Sequence, residues 1–393
     1  MTPEIREPDI EESIKVLHFL SSYAFSPTPP LPEFDAYAEK VRNRKGARYY
    51  TVFVDGEHRA ISCATTPLSQ NLRGQFFKMA GVANVATHPA ARRKGYVRAL
   101  MHHMFATFKD EAYAVSCLYP FKESFYERLG YVTLPQVKKI TFDPKNLAPT
   151  LKIDLDGSFE MCSYREGYEE YQGYLEKYQR ETHGMSLFTI PNPQEAQEHE
   201  AWLVFARQNG NVIGLIHYKL SDQSLNQTMN VFDFLFSNAQ GKFMLLNWIA
   251  RHIDQVGKVN LRLKPGQFGE TFFTNIQPEY SKFFVAPMAR VVNIRELAGL
   301  PAGPGEISIK VSDPDCEWNT GIWQLSSEEG RLSIKPAQQA DCNLTIQGLT
   351  ALVYGVYDPD EFSPRGWGDP DPDQQKTLRQ MFPPAVPYLH TMY

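Results

Sequence analysis

The sequence predicts two copies of a mixed α/β fold followed by a smaller α+β domain. Two observations carry this. An order of hairpin, strand, amphipathic helix and strand runs twice along the chain, and the texture changes near Pro301. The length agrees: 393 residues, 42% of them hydrophobic, are enough at ~100–200 residues per domain for two or three domains with their own cores. The boundaries read as 1–150, 151–290 and 291–393.

In the first copy, "PDIEESIKVLHFLSSYAF" places Ile10, Ile14, Leu17 and Leu20 on one helix face. "SPTPPLP" follows as a rigid loop. "RYYTVFVDGEHRAISCATT" reads as two strands joined by an Asp-Gly hairpin turn. "MAGVANVATHP" is a third strand, stopped by Pro89. From Val97, apolar residues recur at Leu100, Met101, Met104, Phe105 and Phe108, the stripe of an amphipathic helix. "AYAVSCLYP" reads as a buried strand, and "ESFYERLGYVTL" as a short helix, a glycine stop and a last strand.

The middle of the chain repeats the order. "AWLVFARQNGNVIGLIHYKL" is strand, Asn-Gly turn, strand; "MNVFDFLF", "GKFMLLNWIARHIDQV" and "KVNLRLKP" follow as strand, helix and strand. This is a degenerate duplication. Where the first copy has Arg-Arg-Lys-Gly, the second has "SNAQGKF". The second copy is therefore expected to keep the fold and lose the ligand. "GLPAGPGE" reads as a linker, and the remainder as strands, polar turns and a proline-rich tail.

Composition excludes several functions. A net charge of −5 argues against a nucleic-acid binder, which needs a basic face. No stretch of ~18 apolar residues is present, so no membrane span is expected. The acidic, amphipathic start lacks the basic-then-apolar order of a signal peptide. Five scattered cysteines (Cys63, Cys117, Cys162, Cys316, Cys342) without CxxC spacing point to a reducing cytoplasm and to no zinc site.

"NVATHPAARRKGYVRALMHHMF" (84–105) carries the chemistry. A strand feeding a small, basic loop into a helix creates an anion site. The first helical N–H groups have no partners, and the dipole adds about half a positive charge. Phosphate oxygens accept such N–H groups. Gly95 lets the backbone approach closely, and Arg92, Arg93 and Lys94 add cationic reach.

Arg92-x-x-Gly95-x-Val97 resembles the Gln/Arg-x-x-Gly-x-Gly/Ala acyl-CoA signature of the GNAT acetyltransferases, and "SFYERLGY" (124–131) resembles their "FYxKxGF" segment. Two such copies plus a terminal domain whose "VSDPDCEWNTGIWQL" resembles a sterol-carrier-protein segment make the whole chain similar to the Eis family of N-acetyltransferases. The resemblance implies tandem GNAT folds with mixed twisted sheets and a sterol-carrier-like α+β domain. It implies acetyl-CoA as acyl donor and a homo-oligomer, a hexamer being one form. Val85, Ala86 and Thr87 would pair with the pantetheine arm. The backbone of Arg93, Lys94, Gly95, Tyr96, Val97 and Arg98 would hold the pyrophosphate, with Phe121 and Lys122 on the following loop. Val97 departs from the signature, and its branched side chain is expected to restrict how closely the pyrophosphate settles.

Amine acetylation needs a base for the ammonium proton, since an ordinary lysine-like amine has a pKa of ~10.4, and a donor for the leaving thiolate. By the motif position, Tyr126 is the donor. No acidic residue occupies an obvious strand position of the first copy. The resemblance implies the C-terminal carboxylate, on Tyr393, as base; the apolar ending "PYLHTMY" suits a docked tail. Glu123 and Glu127 are the fallback. Tyr23 and Phe25 are candidate walls of the acceptor pocket. Cys117, His88, His102 and His103 read as structural. Two alternatives stay open: a non-catalytic acyl-CoA or lipid-binding protein, and a tandem transferase for a peptide or a longer acyl group.

Overall fold

The computed structural model describes residues 3–25, 28–190, 199–221 and 226–393, with side chains outside residues 63–67; the Cys63 thiol lies outside the described side chains. The chain forms two compact units. One gathers Met1–Leu134, Thr182–Pro191 and Ala286–Tyr393; the other gathers Pro135–Glu181 and Asn192–Val285.

The elements run β1 (Glu4–Arg6), α1 (Ile10–Phe25), α2 (Phe34–Asn43), β2 (Ala47–Val54), β3 (Glu57–Leu72), β4 (Gln75–Thr87), α3 (Tyr96–Asp110), β5 (Val115–Leu118), α4 (Glu123–Glu127) and β6 (Val132–Thr133). Next come β7 (Lys138–Phe142), β8 (Ser158–Ser163), α5 (Tyr168–Arg180), β9 (Ser186–Phe188), β10 (Trp202–Gln208), β11 (Asn211–Ser221), β12 (Gln227–Phe236), α6 (Ala239–Ala250), β13 (Val256–Leu263), β14 (Glu279–Lys282) and β15 (Met288–Val291). The terminal part holds β16 (Glu306–Ser312), β17 (Gly321–Glu328), β18 (Arg331–Pro336), β19 (Cys342–Thr345), α7 (Ile346–Tyr354), α8 (Phe362–Arg365) and α9 (Pro372–Met381).

The first sheet has the order β1-β2-β3-β4-β5-β15-β6, with β9 added to the far part of β3. Strands β4 and β5 are parallel; the other neighbours are antiparallel. Asp55 and Gly56 both take positive φ at the β2–β3 turn, the conformation an Asp-Gly hairpin requires. Helix α3 buries Leu100, Met101, Met104, Phe105 and Phe108 completely, the stripe read from the sequence. These side chains cover one sheet face together with Val52, Ala80, Val82 and Leu118. On the opposite face α1 packs on Tyr49, Ile61 and Ala86. Further along that face, α7 of the terminal domain packs against Leu68, Met79, Val115 and Cys117.

Buried charge ties the terminal domain to the first fold. Arg290, on β15, is fully buried; it donates to Asp313 at 2.7 Å and to the Leu129 carbonyl at 2.5 Å. Two residues on, the buried Asp315 carboxylate receives Arg98 at 2.9 Å and meets His102 Nε2 at 2.5 Å, both from α3. At the β3–β4 turn, Arg73 donates to the Leu352, Val353 and Pro383 carbonyls. It thereby closes the C-terminal end of α7, where helix carbonyls lack partners.

The second unit holds a sheet of order β14-β7-β13-β12-β11-β10-β8. It repeats the first sheet's antiparallel hairpin and parallel pair, β11–β12 and β12–β13. Two strands fall on the other side of the boundaries read at 150 and 290: β7 pairs with β13 and β14, and β15 pairs with β5 and β6. Each of these parallel edges is thus completed by a strand from beyond its own copy. Burial accounts for the placement of β15, since Met288, Ala289, Arg290 and Val291 are all at most 1% exposed. The terminal sheet has the order β18-β17-β16-β19. No helix among the described residues is long and apolar enough to cross a membrane.

Candidate active site

Parallel pairing of β4 with β5 runs from Met79↔Val115 to Val82↔Leu118 and stops there. Strand β5 ends, while β4 continues to Thr87. The register of β4 against β3 also shifts between Ile61 and Cys63, so that Ala83 and Ala86 flank an extra residue. At this bulge Asn84 takes φ 51°. A bulge bends a strand and re-aims its backbone groups. The edge of β4 facing β5 is therefore without a strand partner from Ala83 onward. The expected pantetheine residues Val85, Ala86 and Thr87 lie on this edge. Val85 and Ala86 pack their side chains against the α3 and α1 faces, so only their backbone is offered.

The strand leads into the basic loop. His88 Nδ1 accepts the Ala90 N–H at 3.2 Å, which gives that histidine a capping role. Arg93 and Gly95 take φ 62° and 81°. Gly95 is the N-cap of α3 and supplies no side-chain cap, and the first turn carries no acid. The first bonded N–H beyond it is Ala99, to the Gly95 carbonyl. The N–H groups of Tyr96, Val97 and Arg98 are thus the orphan donors of the helix start. Arg92, Arg93 and Lys94 are exposed around them. These residues fit a pyrophosphate. Val97 packs its side chain against the buried α3 face, away from the solvent-facing loop. The Arg98 side chain is held by Asp315, so that residue offers its backbone alone.

Tyr126 lies on α4 and is 3% exposed. Its ring meets Phe121, Phe125 and Tyr131 at centroid distances of 5.7, 5.0 and 6.0 Å. Burial pushes its phenol well above the ordinary range. Its hydroxyl has no hydrogen bond to the described residues. Phe121 is 70% exposed and Lys122 is the exposed cap of α4. Val82 and Leu118, the last paired residues before β4 and β5 part, belong to the same cluster as Tyr126.

Side chains alternate across a strand, so Gly81 and Cys117, one position back, face the other way. There the C-terminal tail is seated. The Tyr388 N–H donates to the His183 carbonyl at 2.9 Å. The Tyr119 hydroxyl lies 3.4 and 3.3 Å from the Leu389 and Thr391 carbonyls. The Thr391 hydroxyl donates to the Ser186 carbonyl. The Tyr393 ring lies 5.9 Å from that of Tyr119. Tyr126 and Tyr393 thus approach the end of β5 from opposite faces. Cys117 is fully buried and its thiol is pushed up to about 12; it is protonated at neutral pH and is no nucleophile.

Tyr23 sits beside the loop, with the Arg92 guanidinium 5.8 Å from its ring centre. Phe25 is exposed at the end of α1. Glu123 accepts from the Thr133 hydroxyl at 3.1 Å. The sequence reading missed Gly81, Tyr119, Asn84 and Asp315. Gly81 carried a signal, because glycine inside a strand often marks close approach of another group.

The second fold keeps the strand order but closes the equivalent positions. Its parallel pair also ends early, at Val231↔Leu261. The helix α6 is capped by Asn238, whose side chain accepts the Gly241 N–H at 2.8 Å. Phe234 stacks on Phe272 at 5.6 Å, and Lys242 lies 4.5 Å from the Phe272 ring centre, its ammonium pushed down by burial. Asp233 is bonded to Tyr171 and His217. The start of α6 thus spends its Gly241 N–H on its own cap and carries no Arg-Arg-Lys-Gly run.

Comparison with known proteins agrees with this geometry. Residues 4–134 match the family model of the acetyltransferase (GNAT) domain, and residues 291–390 that of the sterol carrier protein domain. No curated protein matches the chain in sequence. Among solved structures it is similar to a probable N-acyltransferase from Enterococcus faecalis V583, at 20% identity and TM-score 0.85. It is similar to a GCN5-related N-acetyltransferase from Anabaena variabilis, at 16% and 0.84, and to Eis1 from Mycobacterium abscessus, at 16% and 0.79. Each match covers 100% of both chains; at these identities they speak for the fold. The chain carries a GNAT acetyltransferase domain and is an acyltransferase of the GNAT type, built as tandem GNAT folds with a sterol-carrier-like terminal domain.

Proposed function

We propose that the chain is an acetyl-CoA-dependent N-acetyltransferase of the Eis type, acting on primary amines such as those of aminoglycosides, polyamines or lysine side chains. The observation that carries this is the unpartnered edge of β4 running directly into the uncapped, acid-free start of α3. Acetyl-CoA would lie along Val85–Thr87 with its pyrophosphate on the N–H groups of Tyr96, Val97 and Arg98. The amine attacks the thioester carbonyl, forming the N–C bond. Backbone N–H groups near the β4 bulge would support the oxyanion. As the C–S bond breaks, the Tyr126 hydroxyl would give its proton to the leaving thiolate. The ammonium proton would pass, directly or through water, to the Tyr393 carboxylate. Overall, one acetyl group moves to nitrogen and one proton is released. A cytoplasmic homo-oligomer is part of the same reading.

The packing of the terminal domain speaks against the alternative, a non-catalytic acyl-CoA or lipid-binding protein that uses this domain as its binding module. Helix α7 buries Leu349, Leu352, Val353 and Tyr354 against the first fold, so this apolar surface clads the catalytic sheet.

Titration calorimetry tests the donor site. The protein is expected to bind one acetyl-CoA per chain. Gly95→Glu should abolish binding while the chain stays folded. Gly95 has open space around a Cβ but φ 81°, so a side chain costs only about 1–2 kcal/mol of backbone strain, whereas its carboxylate would repel the pyrophosphate. Two equivalent sites, or unchanged affinity of Gly95→Glu, would overturn this assignment.

A further inference from the structure

We infer that Gly81 is the floor of a socket for the C-terminal ring, and that this socket positions the terminal carboxylate by fixing where the chain ends. The inference rests on the reading of that carboxylate as the base.

A Cβ at Gly81 would lie 2.8 Å from both Cδ2 and Cε2 of Tyr393, and 2.9 Å from Cδ1 of Leu68. Real Cβ atoms do not approach so closely. Gly81 is absent from the positive-φ glycines, so the backbone does not require glycine here; the Tyr393 ring and the Leu68 side chain do. Its place is also specific: Gly81 pairs with Cys117 one step before β4 and β5 part. The carboxylate and the ring share one Cα, so a fixed ring confines the carboxylate to a short arc.

The contact is one of shape. The Tyr393 hydroxyl is buried and has no hydrogen-bond partner among the described residues. A buried hydroxyl without a partner costs stability rather than adding it, so it does not hold the ring in place. What holds the tail are the hydroxyls of Tyr119 and Thr391 on backbone carbonyls and the flat glycine surface beneath the ring. Gly81 and Tyr119 are therefore positioning residues for Tyr393.

The test reads the tail and the chemistry separately. Carboxypeptidase A release of the terminal aromatic residue from the full-length protein reports seating; kcat and the acetyl-CoA KM report function. Gly81→Ala overpacks the socket, so release should become about tenfold faster. Its kcat should fall by about 10²-fold, the cost of misplacing a reacting group by about 1 Å, with the acetyl-CoA KM little changed. Tyr119→Phe, which keeps the ring and loses its hydroxyl contacts to the tail, should speed release in the same direction. Adding Tyr393→Val to Gly81→Ala should recover part of the lost kcat, because a smaller side chain fits beside the new methyl. Unchanged release from Gly81→Ala and Tyr119→Phe would overturn the socket. Faster release with native kcat would uphold the socket as an anchor and overturn its positioning role, and with it the carboxylate as base.

Discussion

A Gly-Ser extension after Tyr393 is expected to lower kcat by about 10²-fold while acetyl-CoA affinity and folding survive. The native tail ends with its ring against Gly81 and Tyr119. An added residue turns the terminal carboxylate into a neutral peptide carbonyl and carries the charge away. A free α-carboxylate has an ordinary pKa of ~3.3–3.7, so it is ionised at neutral pH and attracts an ammonium, yet it is a weak base. Partial burial raises its pKa and improves it as a proton acceptor. Amidating the terminus removes the charge with almost no change in shape and should reproduce the loss. Tyr393→Phe retains the carboxylate and should stay close to native. Stopped-flow turnover at saturating acetyl-CoA separates these outcomes. Native kcat in the extended protein would move the role of base to Glu123 or Glu127.

Tyr126→Phe is expected to lower kcat by about 10²–10⁴-fold, the usual worth of a positioned acid, with little change in acetyl-CoA affinity. The ring contacts with Phe121, Phe125 and Tyr131 survive the change, and no hydrogen bond to a described residue is lost. Stability should therefore hold, which separates a chemical effect from a packing one. The pH dependence has a definite sign. Burial raises the Tyr126 phenol above its ordinary pKa of ~10. The proton-donating form is then fully present through neutral pH, and the donor is lost only as pH rises past that raised value. The pH–kcat profile should show no alkaline decline from Tyr126 below the ordinary phenol range. A folded variant with near-native kcat would reduce Tyr126 to a packing residue.

The parts of this architecture that were legible in the sequence are those with local signals. The α3 stripe from Leu100 to Phe108 follows helical period, and the Asp55-Gly56 turn follows from positive φ at both positions. The uncapped, acid-free start of α3 was legible because its strand, small basic residues and helix are contiguous. What was not legible depends on pairing across long separations. Strand β15 is four residues long, and its Arg290 reads as a surface residue until Asp313 is seen beside it. The exchange of β7 and β15 across the expected boundaries leaves no periodic trace, because short strands carry little period. The tail's apolar character suggested docking, but its destination at Gly81 depends on a contact over three hundred positions away. Asp315 looked like part of a polar turn; its partners Arg98 and His102 are on α3.

Thiol release from acetyl-CoA in the presence of a panel of aminoglycosides, polyamines and lysine peptides reads out whether this fold acetylates amines. Release should depend on at least one amine, with one acetyl group found on nitrogen for each thiol freed. This release should be lost in Gly95→Glu and strongly reduced in Tyr126→Phe. Binding of acetyl-CoA with no amine-dependent release across the panel would overturn the acetyltransferase reading and favour a binding protein or a different acyl group.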